Sequence, residues 1–588
     1  MAQEQQNIHV AAPGFAGLNT QDSPVEMNIQ YASVADNCVI DDQGRISSRK
    51  GFQQYTDALT TAHGAGAALG FTAIEKAMEY VDITGASWMF LCGGGKIWLQ
   101  HQNKDGYPDE YAVELTMPDY GEVSISAPTA TDNDWQMSSI VDYAYFVQGG
   151  FHPLLFDPAS PTELRFVDLT GYTGISGTGT LGDPFGSTGL GYPSCVLGAF
   201  GHVFYGGWSL NKSIVAFSDL VGYGDSGKQP RGGDLDISQV WPNGADNIVS
   251  MAAHNNFLII FGERSIVVYE VPDAGGPVYA GLVDTLDNIG CISRDTVQTT
   301  GKDILFLDHT GVRSFGRTIQ EKSMPVGDVS FNVKSEMQVA INSSIDLTKI
   351  FAVFNPEESL YTVTFPEINT TYCLDTKQIL ENGSMKITKW KASRIQCGVR
   401  AATGYTYYGG VGGMYKYTGG EDQSTVYGAL SMIGGSGTLA HTTLTIYTIP
   451  FKYWTQQQSF GITDKLKILK QMTAAIRGSG DIRLYFKWVF EYNGNVNTTF
   501  TDLDGTAVAL YNDPSGLVQY NDGETGPDSG PPASTFSYYG GAAVTVQEKR
   551  LKLWGNGRVV KFGFEAEVKT NQIAIQELNI QALIGRTA

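Results

Sequence analysis

The sequence predicts an all-β protein that combines a β-propeller of six or seven blades with an additional antiparallel β-sandwich-like domain. Three observations carry this prediction. The composition favours strands and tight turns, because 70 glycines accompany 30 tyrosines and 28 phenylalanines while only 17% of residues are charged. A hairpin pattern recurs along the first two thirds of the chain. Longer alternating strands follow residue 420.

Seven segments share one plan, in which aromatic and β-branched residues flank a turn built on Gly, Asn or Pro. In GKDILFLDHTGVRSFG, apolar residues such as Ile304, Phe306 and Val312 flank a turn at 308–311. Their centres lie roughly 50 residues apart, which is the spacing of four-stranded propeller blades. The segments are 85–100, 141–158, 201–218, 254–270, 301–316, 351–365 and 404–420.

The length of 588 residues exceeds what one core accommodates, so several domains are expected. The predicted domains are an N-terminal segment at 1–60, a propeller at 61–420 and a C-terminal β-rich domain at 421–588. Two stretches rich in Gly, Ser or charged turn residues, 170–192 and 221–241, are predicted to be loops inserted into the propeller.

The N-terminal segment has its own predicted pattern. A loop containing Pro24 precedes a short helix at 29–37, and a hairpin follows with its turn at 41–44.

The C-terminal domain is predicted from strands with alternating polarity. The stretch 501–537 between them is turn-rich. Five basic residues close in sequence either face an acidic neighbouring subunit or form a solvated strand face. The strands are 442–454, 465–476, 481–492, 559–569 and 573–584, and the basic residues are Lys549, Arg550, Lys552, Arg558 and Lys561.

The charge balance limits the partners. A net charge of −21 and a pI near 4.8 argue against a surface that grips nucleic-acid phosphates. Acidic walls past which nucleic acid slides remain compatible with this charge, as does simple solubility. Six cysteines without a C-x-x-C pair indicate a reducing site of synthesis and buried free thiols. No signal peptide or membrane span is predicted, so we expect synthesis in a cytoplasm.

Motifs that carry nucleophilic or phosphate chemistry lack their required partners. The Gly-Asp-Ser-Gly segment at 224–227 matches the nucleophile segment of chymotrypsin-like proteases, but no upstream histidine has the Ala-Ala-His-Cys context. The Gly-Lys pairs ending at Lys96, Lys228 and Lys302 are not followed by Ser or Thr, as a phosphate-binding loop requires.

Candidate metal ligands are better explained by turn chemistry. Asp502 and Asp504, and Asp132 with Asp134, offer oxygen ligands of the kind calcium takes, yet neither set completes a known calcium loop. The eight histidines show no zinc-binding spacing. Paired carboxylates of a glycosidase stay open at this point, although no repeated Asp-box is present. We therefore predict no catalytic residue, no cofactor-binding residue, no metal site and no enzyme activity.

Aromatic residues in the hairpins have two readings. They could stack on sugars, as in a sugar-binding propeller, or pack between blades. Packing is the more usual role of aromatic residues at alternating positions. The residues are Trp88, Trp98, Tyr145, Trp208, Tyr405 and Tyr407.

The N-terminal segment resembles a known family. Its Gly-Leu-Asn-Thr-Gln-Asp-Ser-Pro opening at 17–24, its Ala-to-Asn stretch at 32–37 and its Arg-to-Phe stretch at 45–52 resemble the start of tail nozzle proteins of short-tailed bacteriophages, also called tail tubular protein B. The chain departs from that pattern in having Ala16 before the opening and Lys50 before Gly51.

Three later segments are similar to the same family. The stretch NIGCISRDTVQTTGKDILFLDHTGVRSFGR at 288–317 and the strand pair at 257–271 resemble its central motifs. The last strand, IAIQELNIQALIGR at 573–586, is similar to the strand that closes the family's sandwich-like platform domain.

The resemblance implies a structural role without catalysis. It implies a homohexameric ring at the distal end of the tail tube, docked on a tail adaptor ring similar to tail tubular protein A, with tail fibres or spikes as neighbours. Phage DNA and ejection proteins would pass through the ring into the host without sequence-specific binding. The protein would be made in the bacterial cytoplasm and reside in the virion. The alternatives are a propeller that binds a receptor or glycan in the tail, or a polysaccharide hydrolase.

Overall fold

The structure is a computed structural model with two compact units. The propeller unit comprises Phe52–Tyr417 and Gln423–Thr445, and the sandwich unit comprises Met1–Gly51, Thr418–Asp422 and Ile446–Ala588. The protein is nearly all β, which confirms the predicted class. The structure describes residues 5–24, 27–56, 73–102, 113–115, 134–167, 190–221, 232–242, 244–272, 276–301, 303–320, 328–391, 395–410, 413–420, 422–425, 444–462, 464–478, 482–491, 495–503, 512–513, 516–517, 545–569 and 572–587.

Five four-stranded antiparallel sheets, together with four consecutive antiparallel strands of a larger sheet, give the propeller unit a six-blade arrangement, as predicted. For blades 1 to 5, the first strand named is the innermost strand of the blade and the last strand named is the outermost. Blade 1 contains Lys76–Val81, Ser87–Gly93, Lys96–Gln102 and Val113–Glu114; blade 2 contains Gln136–Ile140, Tyr143–Gln148, Phe151–Phe156 and Leu164–Phe166; blade 3 contains Cys195–Ala199, His202–Gly206, Ile214–Phe217 and Gly233–Asp236; blade 4 contains Ile248–His254, Phe257–Gly262, Ser265–Glu270 and Gly281–Asp287; blade 5 contains Phe351–Asn355, Leu360–Phe365, Thr370–Ile379 and Met385–Lys391.

Blade 6 closes the ring with a strand from before blade 1. Its inner strands are Ile395–Arg400, Thr406–Gly410 and Gly413–Tyr417, and its outer strand is Phe52–Thr56, which pairs antiparallel with Gly413–Tyr417. Phe52 packs in an aromatic cluster with Trp390, Tyr408 and Tyr417, in which the Trp390 and Tyr417 rings stack at 5.0 Å.

A three-stranded sheet lies between blades 4 and 5 and completes the circle of innermost strands. Its strands are Gln298–Thr299, Ile304–Asp308 and Gly311–Ser314. The helix Lys334–Ser343, which the sequence analysis did not predict, packs beside the last of these strands. The remaining helix is Phe315–Gln320, and the 3-10 turns are Gly276–Tyr279, Arg294–Thr296, Phe331–Val333, Leu347–Lys349 and Pro366–Ile368.

All seven predicted hairpins are confirmed, since each contains two consecutive strands of one sheet. Apolar side chains from facing sheets form the cores between them. One core joins blades 1 and 2. In it, the Phe90 ring makes T-shaped contacts with the rings of Phe146 and Phe156, each at a centroid distance of 4.9 Å. The predicted role of the hairpin aromatics is confirmed for Trp98, Tyr145, Trp208 and Tyr407, which are buried in such cores.

The sandwich unit contains two sheets. Leu503 of the second sheet lies against Gly478 of the first, so the two sheets meet there. The strands of the first sheet follow the order Cys38–Ile40, Ile46–Ser48, Ala574–Thr587, Lys465–Gly478 and Thr545–Lys552. In the same sheet, Gln5–Ala11 pairs with Ala574–Thr587, and Asn556–Gly557 pairs with Lys465–Gly478. The strands of the second sheet follow the order Gly17–Leu18, Tyr31–Asp36, Ile449–Thr455, Val560–Val568, Ile482–Phe490 and Asn497–Leu503. The remaining short strands are Asp422–Thr425, Leu444–Tyr447, Asn512–Asp513 and Gly516–Leu517.

The predicted helix at 29–37 is wrong. These residues form the strand Tyr31–Asp36, which pairs antiparallel with Ile449–Thr455. The register shifts between Ala32 and Val34, so Ala32 and Ala35 are both buried although they are three residues apart. A bulge of this kind imitates the apolar spacing of a helix. The predicted hairpin turn at 41–44 is confirmed.

A buried arginine fixes the end of the N-terminal segment in the sandwich unit. The Arg49 side chain is fully buried, and its guanidinium donates to both carboxylate oxygens of Asp422 at 2.8 and 2.5 Å. It also donates to Asn37 Oδ1 at 3.2 Å and to the Lys50 carbonyl at 2.9 Å. Such a bidentate pair combines charge with fixed geometry.

All six cysteines are free and buried, which confirms their predicted behaviour as small apolar side chains. Among the described residues, no helix is long and apolar enough to cross a membrane. Most of the predicted loop at 170–192 and most of 501–537 lie outside the described residues. Of the predicted loop at 221–241, residues 222–231 lie outside them, and Gly233–Asp236 is not a loop but the outer strand of blade 3.

Replacing Arg49 with Ala is expected to lower the free energy of unfolding of the sandwich unit by about 3–5 kcal/mol, because Asp422 would keep a largely buried charge without its partner. Urea unfolding followed by tryptophan fluorescence measures this change. Arg483→Ala is the matched control, since the Arg483–Asp502 pair is solvent-exposed, and no measurable change is expected there. Equal effects of the two substitutions would contradict the prediction.

Propeller stability is expected to fall as the pH drops from about 6.5 to about 4, owing to His152. Burial lowers the pKa of this imidazole to about 4 in the folded protein. As the pH falls, the unfolded chain therefore binds a proton before the folded protein does, which favours unfolding. As the pH rises, the stability returns. Comparing His152→Gln with wild type across this window should show a loss of about 2–3 kcal/mol in wild type that the variant lacks. His309→Gln, at an exposed histidine, should behave as wild type.

Candidate functional site

The innermost strands of the propeller unit surround a cavity of about 450 Å³. All six blades and the three-stranded sheet contribute to its wall, so it lies at the centre of the ring. Its lining mixes apolar side chains such as Met78, Met137 and Met251 with polar ones such as Gln136 and Ser250.

Lys76, Arg294 and Asp295 line this cavity, and Asp134 contacts both cations. We call these four charged side chains the axial quartet. The Lys76 ammonium lies 3.0 Å from Asp134 Oδ1 and also contacts Asp295. The Arg294 guanidinium lies 2.9 Å from Asp134 Oδ1 and 2.9 Å from Asp295 Oδ1. Each cation therefore contacts both carboxylates, and the formal charges cancel.

Separate elements position the members of the quartet. Lys76 begins the inner strand of blade 1, and Asp134 lies two residues before the inner strand of blade 2. Arg294 and Asp295 lie on the 3-10 turn that precedes the three-stranded sheet. Arg294 also donates to the Ser194 carbonyl, just before blade 3, at 2.6 Å. The quartet thus links sheets that are far apart along the chain.

Burial and pairing determine the ionisation of the quartet. Burial by itself lowers the pKa of Lys76, but Asp295 and Asp134 outweigh that effect and raise it above its ordinary value. Burial by itself raises the pKa of Asp295, yet Arg294 and Lys76 hold it well below its usual range. Lys76, Arg294 and Asp295 are consequently charged at neutral pH.

The arrangement of the quartet is suited to holding neighbouring sheets together and poorly suited to acid catalysis. A general acid at neutral pH needs a raised carboxyl pKa, whereas the pKa of Asp295 is lowered. Burial raises the pKa of Glu79 in blade 1, but its carboxylate accepts hydrogen bonds from Ser87 Oγ and the Ala402 backbone N–H.

A hydrogen-bond donor also borders the cavity. Trp135 contributes to the lining, but its indole is buried against Phe151 in the core of blades 1 and 2. The Gln136 carbonyl oxygen accepts from the Val196 N–H at 2.8 Å, which leaves its amide NH₂ group as a donor. A small acceptor-rich molecule has the chemistry to fit such a lining.

The sequence candidates for calcium do not meet in this structure. Asp134 belongs to the axial quartet, where two cations already occupy its surroundings. Asp502 pairs with Arg483 at 2.7 Å on an exposed strand. Asp132, Asp504 and the Gly-Asp-Ser-Gly segment at 224–227 lie outside the described residues. In the described part of the chain, no group of three or more His, Cys, Asp or Glu side chains is placed to hold a metal ion.

The other sequence candidates are dispersed. Lys96 starts a blade 1 strand at a hairpin turn and not a helix, while Lys228 and Lys302 are outside the described residues. Trp88 is half-buried against the core of blades 1 and 2. Tyr405 is 41% exposed, with the Lys416 ammonium 3.3 Å from its ring centroid.

Sequence reasoning missed the axial quartet. Its members are separated by up to 219 residues, so no local pattern connects them. The one available signal was the resemblance, because Arg294 and Asp295 lie inside the motif at 288–317.

The chain matches no protein-family profile and no curated protein in sequence. Solved structures with a similar arrangement include the extracellular domain of the putative one component system BT4673 from B. thetaiotaomicron, at 10% identity and a TM-score of 0.37 over 79% of this chain and 58% of that domain. The chain thus spans little more than half of that domain's length. The Dos1 propeller is similar at 10% identity and a TM-score of 0.34, over 66% of this chain and 92% of that one.

PorZ, a surface component of the type-IX secretion system of Porphyromonas gingivalis, is similar at 12% identity and a TM-score of 0.32, over 59% of this chain and 37% of that one. None of these three is described as a phage tail protein, so the resemblance to tail nozzle proteins stays a prediction.

Replacing Arg294 with Met is expected to lower the free energy of unfolding of the propeller unit by about 3–5 kcal/mol, since two carboxylates would share only Lys76. The loss should be the same at pH 5 and pH 7, because a carboxylate with a lowered pKa keeps its stabilising effect until the pH falls through that value. Arg165→Met is the matched control: Arg165 is half exposed and its ion pairs are 3.6 Å long. We expect at most about 1 kcal/mol there.

Proposed function

We propose that this chain is a non-enzymatic structural protein of a bacteriophage tail, which forms the nozzle ring through which DNA and ejection proteins leave. One observation carries the proposal. The segments that resemble tail nozzle proteins include the residues on which both units depend. Arg49 lies in the N-terminal motif, and Arg294 and Asp295 lie in the central motif. The strand Ala574–Thr587 forms most of the C-terminal motif at 573–586.

The central motif also explains the three-stranded sheet. Arg313 lies 2.9 Å from Asp308 Oδ2 and 3.1 Å from Asp328 Oδ1, and both carboxylates are buried. Lys334, at the start of the neighbouring helix, lies 3.2 Å from the other oxygen of Asp328. The motif residues therefore hold the hairpin to the segment that follows it, as expected of residues with a structural role.

The proposed conduit has to lie between copies of the chain. A cavity of about 450 Å³ has the volume of roughly fifteen water molecules, and the axial quartet bridges its wall. A nucleic-acid duplex cannot pass through such an axis. A ring of copies encloses a wider channel if the rotation between neighbours closes, and six copies are the number that the resemblance implies.

The distribution of charge favours a surface past which DNA slides. The propeller unit holds 39 acidic and 22 basic residues, a formal net charge of −17, whereas the sandwich unit holds 21 acidic and 17 basic residues, a net charge of −4. A propeller surface that faces a channel would repel phosphates and so avoid trapping them.

Electron microscopy of the purified chain, alone and mixed with a tail adaptor protein, tests the proposal. We expect hollow six-fold rings that cap the adaptor ring. The proposal would be overturned if the chain stays monomeric at high concentration and does not bind the adaptor protein.

A second candidate is a propeller that binds a receptor or glycan in the phage tail. The Gln136 amide at the central cavity favours it, because its NH₂ group is a donor and a sugar offers several hydrogen-bond acceptors. A glycan array followed by titration of Gln136→Leu, with Gln298→Leu as a matched cavity variant, separates this candidate from the nozzle. Binding that only Gln136→Leu abolishes would favour it.

A further inference from the structure

We infer that the outer strand of blade 4, Gly281–Asp287, forms a continuous sheet with the outer strand Thr545–Lys552 of a second copy. This inference rests on the proposed function, because a ring needs a repeated contact between copies. It adds to that function the two edges that make the contact.

The blade 4 edge is open and partly apolar. Leu282 and Val283 are 50% and 53% exposed, and Tyr279 just before the strand is 71% exposed. The strand pairs with Ser265–Glu270 on one side, and no described strand pairs with its other side. An open edge with exposed apolar side chains is a template for another strand.

The outer strands of blades 1, 2 and 3 are shorter than that of blade 4. Those of blades 1, 2 and 3 contain two, three and four residues, whereas the blade 4 strand contains seven. Short edges discourage pairing with another chain. The blade 4 edge is also free of Lys, Arg and Pro, the residues with which proteins usually protect an edge.

The sandwich unit offers a second open edge with the opposite charge. Thr545–Lys552 pairs with Lys465–Gly478 on one side and with no described strand on the other. It carries Lys549, Arg550 and Lys552 against Glu548 alone, a formal charge of +2. Val546 is 54% exposed and supplies an apolar contact. The basic cluster of the sequence analysis lies largely on this edge.

The two edges complement each other in length, charge and polarity. They contain seven and eight residues, which span roughly 24 Å of paired strand. The blade 4 strand carries Asp284 and Asp287 and no basic residue, a formal charge of −2. Opposite charges across a strand pair stabilise it and set which partner is accepted.

Pairing between unlike edges gives a head-to-tail contact. Each copy presents both edges, so every copy engages two neighbours. A contact of this type produces a closed ring when the rotation closes and an open chain when it does not.

Mixing two variants that each carry one added cysteine tests the inference. Val283→Cys and Val546→Cys place reactive thiols on the two edges, while the six native cysteines are buried. After mixing and treatment with a short bis-maleimide reagent, we expect a cross-linked species that contains one copy of each variant. Neither variant should cross-link by itself. Mixing Ile83→Cys with Val546→Cys is the matched control, because Ile83 is 76% exposed on blade 1.

Charge reversal provides a second readout. Combined Asp284→Lys and Asp287→Lys substitutions should reduce the cross-linked fraction by roughly tenfold or more, since like charges would then face each other. Combined Arg550→Glu and Lys552→Glu substitutions should do the same. Mixing the two reversed proteins should restore cross-linking, and high salt should weaken it.

The outcomes separate this inference from the proposed function. Six-fold rings without the cross-link would overturn the edge pairing and leave the nozzle proposal intact. Cross-linked open chains without rings would support the edge pairing and count against the nozzle. Cross-linking that is unaffected by charge reversal, or that the Ile83→Cys control matches, would overturn the edge pairing.

Discussion

The axial quartet is the interaction on which the propeller depends. Each sheet packs mainly on its two neighbours, so the ring has no single core that joins all of its members. Lys76, Asp134, Arg294 and Asp295 connect several of these sheets at the centre. Buried ion pairs contribute little net stability compared with apolar packing, but they tolerate very few alternative arrangements. We expect them to fix the register of the sheets around the axis.

The sequence was sufficient wherever the deciding pattern was local. Aromatic and β-branched residues on either side of a turn identified all seven hairpins, and alternation identified the long strands of the sandwich unit. Local patterns failed where pairing partners are distant. Nothing near Phe52 shows that it closes blade 6, and nothing near Lys76 points to Arg294. The bulge between Ala32 and Val34 shows the opposite failure, in which a local pattern imitated a helix.

The two units differ in charge, and this difference connects structure with the proposed role. Most of the net negative charge, −17 of −21, belongs to the propeller unit, while the clearest basic edge belongs to the sandwich unit. Under the proposed function, one region repels polyanions and the other binds the acidic edge of a neighbouring copy. Identical copies can then associate through unlike surfaces and still present an acidic surface to the substance that passes them.

The closing strand Phe52–Thr56 has a consequence for biosynthesis. The propeller can close only after Gly413–Tyr417 has left the ribosome, although its partner strand emerges more than 350 residues earlier. The sandwich unit encloses the propeller in the sequence, and its first strand waits for Ala574–Thr587 in the same way. Truncated products of translation therefore lack a complete sandwich unit. Only a chain that includes the strand Ala574–Thr587 can complete the sandwich unit, so we expect incomplete copies to be left out of the proposed ring.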